Sequence, residues 1–95
     1  MLDLTSIKKP TLTVKVNDSI TVDVLPPSKN LLDRFVNLPK RDTEALKRVL
    51  AEMLSNNTSG TEVGADVVDE LDFWQIKVLV EEYSKFVKGM NNDPN

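Results

Sequence analysis

Apolar and polar residues alternate strictly over two stretches near the start of the chain. Leu12, Val14 and Val16 interleave with Thr11, Thr13 and Lys15, and Ile20, Val22 and Val24 interleave with Ser19, Thr21 and Asp23. Period two carried by β-branched residues predicts two half-buried strands. Their register follows from the faces, because directly opposed residues share one. A two-residue turn at Asn17-Asp18 opposes Val16 to Ser19 and mixes apolar with polar. A three-residue loop, Asn17 to Ser19, opposes Val16 to Ile20, Val14 to Val22 and Leu12 to Val24, and leaves one apolar and one polar face. That loop puts Ser19 at the left-handed position where glycine is usual.

Beyond Leu25 the spacing becomes helical. Pro26-Pro27 closes the second strand. Ser28 is the N-cap of a short helix from Lys29 to about Leu38, with Leu31, Leu32, Phe35, Val36 and Leu38 as its apolar residues and Pro39 as its stop. Asp42 caps a helix over about residues 43–55, where Leu46, Val49, Leu50, Met53 and Leu54 form one stripe. ADVVDEL, residues 65–71, reads as a short helix turning Val67, Val68 and Leu71 one way. Asp72 with Gln75 forms the glutamine version of a capping box. It opens a last helix that ends at Gly89 as its C′ residue, with Lys85 and Lys88 in the final turn. Residues 90–95, MNNDPN, read as a disordered tail. The predicted architecture is one α+β domain over 1–95, with a β-hairpin at 10–25 and, over 28–89, a small bundle of four helices, two short and two longer.

Composition narrows the chemistry. Leu, Ile, Val and Phe make up almost a third of the chain, well above the level of a disordered segment. The net charge of −3 and pI near 4.8 deny it the broad positive field that phosphate backbones attract. The basic pairs Lys8-Lys9, Lys40-Arg41 and Lys47-Arg48 therefore read as solvated faces, and no nucleic-acid partner is expected. Histidine and cysteine are both missing, which removes the commonest general base, the commonest metal ligand and all thiolate chemistry. Asp66, Asp69, Glu70 and Asp72 gather near helix starts, where acids are favoured anyway, without the ordered spacing of a calcium loop. The three glycines are not spaced for a phosphate loop. The expectation is a protein with no cofactor, no metal and no catalytic residues. MLDLTSIKKP has no apolar core of a signal peptide, and no apolar run is long enough to span a membrane. With a cytosolic protein expected, the two overlapping N-x-[ST] triplets in LSNNTSGTEVG, residues 54–64, reduce to the composition of a helix–helix connection.

The last helix carries the most information about function. At 100° per residue, Phe73, Ile76, Leu79, Val80, Tyr83, Phe86, Val87 and Met90 share one broad face, predicted to be the core face. Trp74 and Val78 fall on the other side, among Lys77, Glu81, Glu82 and Lys85. Four residues apart, they touch. A Trp–Val pair on a polar face, flanked by Lys77, Glu81 and Lys85, is a candidate partner-binding or self-association surface, since Trp is favoured at binding hot spots. The alternative is that the hairpin or the N-terminal arm covers it within the monomer.

Leu54-Ser55-Asn56 at a helix end, the polar turn after it, the short helix ADVVDEL, and a final helix with Tyr83-Ser84-Lys85-Phe86 come in an order that resembles the tail assembly chaperones of long-tailed bacteriophages infecting Gram-positive bacteria. The resemblance covers roughly residues 40–88, and the strand pair in the first third is similar as well. Gly64 departs from the pattern, standing where a better helix former is usual. The resemblance implies a small non-enzymatic protein of the host cytoplasm. It would bind the tape measure protein, and often the tail tube protein, during tail assembly and leave before the virion is complete. Two other classes fit the same composition: a phage connector or tail completion protein that stays in the particle, and a small regulatory or antitoxin-like protein that binds an enzyme.

Overall fold

Val14 stands opposite Val22, Leu12 opposite Val24 and Lys15 opposite Thr21 in an antiparallel hairpin, the register that the apolar face requires. The computed structural model of the chain describes residues 2–4, 9–38 and 42–91. Among them the elements run β1 (Leu12–Lys15), β2 (Thr21–Val24), α1 (Lys29–Val36), α2 (Thr43–Ser55), α3 (Ala65–Asp69) and α4 (Phe73–Asn91). The fold is the α+β arrangement of a hairpin followed by four helices. Pro39, Lys40 and Arg41, and the tail from Asn92 to Asn95, lie outside the described residues.

Side chains of the expected types tie the element ends. At the hairpin tip, the Asn17 carboxamide oxygen accepts from the N–H groups of Ser19 and Ile20, both at 2.8 Å. It closes the loop with an Asx turn, a side chain standing in for backbone. Ser28 Oγ accepts from the Leu31 N–H and Asp42 Oδ1 from the Ala45 N–H. The capping box is reciprocal, with Asp72 N–H donating to Gln75 Oε1 at 2.9 Å and Gln75 N–H to Asp72 Oδ1 at 2.8 Å.

The core lies where the apolar face of the hairpin meets α2 and α4. Val16, Val22 and Val24 from the hairpin, Leu31 from α1, Val49, Leu50, Met53 and Leu54 from α2, Val63 and Val68, and Leu79, Tyr83 and Val87 from α4 are buried. Two ion pairs fasten the helices outside it. Arg34 of α1 grips Glu52 of α2 with its two terminal guanidinium nitrogens, and that bond holds the Glu52 carboxyl below its usual range. Lys47 of α2 reaches Asp69 of α3 at 2.5 Å, which raises the lysine pKa chiefly through the hydrogen bond.

Three expectations need correction. Phe73, expected on the core face of the last helix, is 81% exposed. α4 has 19 residues and is therefore about 28 Å long. The part of α4 that packs on the core begins at Ile76 and runs through Leu79, Tyr83 and Val87, and Phe73 stands before it. Val36 at the end of α1 is likewise exposed rather than packed. Gly89 does not end α4, because Met90 and Asn91 are helical. Gly60 is the glycine with positive φ, at 69°; Gly89 has no left-handed backbone to stop the helix.

Tyr83 sits at the centre. Its ring meets Phe35 edge-on at 5.1 Å and Phe86 at 6.2 Å. Its hydroxyl is buried and finds no hydrogen-bond partner among the described residues. Burial pushes its pKa up to about 12. The folded state therefore keeps the proton after the unfolded chain, at about 10, has lost it. Stability is intact below pH 10 and is lost as pH rises towards 12. Tyr83→Phe is expected to match or exceed the parent by about 1 kcal/mol at pH 7, since an unpaired buried hydroxyl is removed. It should also escape about 2 kcal/mol of the alkaline loss. Urea melts of both proteins at pH 7, 10 and 11.5 measure this, and parallel alkaline declines would count against it.

Candidate functional site

The hairpin has two edges, and the chain treats them differently. Residues 56–58 cover the outer edge of β2. Thr58 N–H donates to the Asp23 carbonyl at 3.1 Å, Leu25 N–H donates to the Asn56 carbonyl at 2.8 Å, and Val24 and Asn57 form an antiparallel bridge. The Asn56 side chain adds a bond to the Pro26 carbonyl at 3.1 Å. The polar stretch 54–64 thus does more than connect two helices. Its inner anchor is Asn57, the buried polar residue of the described chain. Ser55 Oγ fastens the far end by accepting from the Val63 N–H at 2.8 Å and donating to the Val63 carbonyl.

Among the described residues the edge of β1 is bare. Residues of an antiparallel strand point their N–H and C=O alternately to one side and the other. The outward bond at Asp23 fixes Val22 and Val24 as the inward residues of β2. Their partners Val14 and Leu12 then face inward from β1, and Thr13 and Lys15 direct their backbone groups away from the sheet. The sheet has two strands and β1 forms its edge. No described segment pairs with that side.

Beside this edge lies a groove of about 560 Å³. Leu12, Thr13, Val14, Lys15 and Val16 form one wall, Leu71, Trp74, Gln75, Val78 and Glu82 the other, with Leu54 and Leu79 at the floor. Consecutive strand residues point to opposite faces. A groove that touches five in a row therefore borders the backbone of β1 as well as its apolar side chains.

Trp74 and Val78, the residues singled out from the sequence, are 67% and 42% exposed and stand together on the helical wall. The hairpin does not bury them. Lys77 places its ammonium 5.1 Å from the Trp74 ring centroid, a cation–π contact that holds the indole against the helix surface. Glu81 and Lys85 are exposed but do not border the groove, and Lys85 lies 3.8 Å from Glu82. The wall contributed by β1 is the part sequence reasoning missed. Alternation locates the strand but not which of its edges stays uncovered.

The acidic cluster is dispersed. Asp69 pairs with Lys47 and Asp72 caps α4, and no group of three or more ligand-type side chains is placed to hold a metal ion among the described residues. No helix among them is long and apolar enough to cross a membrane. Gly64 is the N-cap of α3 rather than part of it. A Cβ there would meet only the Asp66 carboxylate, at 2.5 Å from Oδ1, the movable end of a flexible side chain. Comparisons with protein-family models, with curated proteins and with solved structures find no match to this chain.

Proposed function

We propose that this chain is a non-catalytic protein-binding module that serves as a phage tail assembly chaperone, holding the tape measure or tail tube protein in the host cytoplasm until the tail forms. The observation that carries the binding role is the exposed Trp74–Val78 pair on the wall of a groove that also presents an open strand edge. An aromatic anchor beside unsatisfied backbone is a surface suited to another polypeptide. The resemblance of residues 40–88 to tail assembly chaperones supplies the particular partner.

Co-expression with the tape measure protein encoded by the same genome tests this reading. A soluble complex that copurifies, together with the absence of the chain from purified virions by mass spectrometry, is the expected result. The chain's presence in virions would favour a connector or completion protein instead. A tape measure protein that stays insoluble and unbound would remove the chaperone assignment.

A further inference from the structure

We infer that the open edge of β1 takes an extended segment of the partner as a third, antiparallel strand, with apolar side chains seated in the groove against Trp74, Val78 and Leu79 and an acidic side chain opposite Lys15. The inference deepens the protein-binding reading and rests on it.

The backbone sets the conformation of the occupant. Thr13 and Lys15 each direct an N–H and a C=O away from β2, and both line the groove; a strand laid alongside satisfies all four groups. A helix keeps its own backbone bonds internal and has a diameter of about 10 Å, so it would leave the edge unpaired. The groove sets the apolar side. Val14 and Leu12 are half-buried, and Val78, Leu79 and Trp74 extend the same surface. Every second residue of an added strand would project there.

Charge sets the other side. The polar face of the hairpin carries Thr13, Lys15, Thr21 and Asp23. The Asp23 carboxylate is already engaged by the Thr13 hydroxyl at 2.6 Å. Lys15 is 67% exposed and its neighbour Asp18 stands at 3.8 Å, fully in solvent. A carboxylate directly across from Lys15 is the complementary group. A second copy of the chain does not supply one. With edge residues 13 and 15 facing out, antiparallel pairing of β1 with itself sets Lys15 against Thr11, Thr13 or Lys15 of the other copy.

The probe is an acetylated, amidated heptapeptide of alternating valine and glutamate, titrated into the isotope-labelled full chain. Slowed amide exchange at Thr13 and Lys15 is expected on binding. The glutamates lie directly opposite Thr13 and Lys15, so N-methylation of the glutamate amides should weaken binding at least tenfold. N-methylation of the valine amides should change it less than twofold. Lys15→Pro removes one edge donor without touching a hairpin bond, and edge strands accept proline. It should also weaken binding tenfold or more, while Lys15→Glu should prefer the lysine version of the peptide. No perturbation at millimolar peptide overturns the inference, as does perturbation confined to α4 or equal loss from both methylation patterns. A concentration-dependent dimer abolished by Lys15→Pro would replace the partner strand by a second copy, also against it. Copurification of the tape measure protein with Lys15→Pro as well as with the parent would sink strand addition while leaving the chaperone reading in place. Peptide protection without any tape measure complex would do the reverse.

Discussion

Replacing Asn57 with alanine is expected to destabilise the fold by about 3 kcal/mol, among the larger effects of any polar truncation in this chain. Asn57 is 7% exposed and uses both ends of its carboxamide. Nδ2 donates to the Leu54 and Thr61 carbonyls, each at 2.8 Å. Oδ1 accepts from the N–H groups of Thr61 and Ser59 at 3.0 and 3.2 Å and from Ser59 Oγ at 3.1 Å. The Leu54 carbonyl belongs to the last turn of α2, where backbone acceptors have no helical partner. Alanine leaves it shielded and unpaired, at about 1–3 kcal/mol for each such group. The Thr61 and Ser59 groups are nearer water and recover part of theirs. A domain of this size has only about 5–14 kcal/mol in total, so the loss is a large share. Ser59→Ala, which removes an exposed hydroxyl from the same turn, should stay within about 0.5 kcal/mol. Urea melts of the two variants decide the matter, and an Asn57→Ala midpoint indistinguishable from that of Ser59→Ala would refute the hub.

The same residue shows where sequence reasoning stops. Asn56 and Asn57 are both legible as helix-stop residues, and the stretch 54–64 as a connection. Which of the two turns inward depends on where β2 lies, and β2 is more than thirty residues away. Local periodicity carries no such information. Periodic elements fared better because each reports its own burial. The hairpin register followed from two alternating stretches, the α2 stripe from Leu46 to Leu54, and the capping box from Asp72 and Gln75. The α4 face was legible only in its middle. Leu79, Tyr83 and Val87 are buried, but an angular projection cannot tell where the rest of the protein ends, and so it put Phe73 inside. For the candidate site, projection located Trp74 and Val78 but not the strand opposite them. The covering of one hairpin edge and not the other is a tertiary outcome.

Trp74→Ala separates a binding surface from a structural one. If the indole holds a partner, truncation should leave the fold nearly intact and remove at least about 2 kcal/mol of binding to the tape measure or tail tube protein, as hot-spot truncations do. Its exposure of 67% limits the stability cost to about 1 kcal/mol, the cation–π contact with the Lys77 ammonium at 5.1 Å included. Leu50→Ala is the contrasting variant. Leu50 is fully buried in α2, and its truncation should cost about 2–5 kcal/mol of stability. Its effect on binding should vanish once the fraction folded is taken into account. Lys77→Met tests the flank. Losing the cation while keeping the length of the side chain should weaken binding less than Trp74→Ala, because the apolar area of the ring remains. Sedimentation reads a further outcome: were the surface used between copies, Trp74→Ala would shift the profile towards monomer at unchanged midpoint. Denaturant melts showing a large drop in midpoint, with oligomeric state and corrected affinity unchanged, would make Trp74 a structural residue and remove the helical wall from the site.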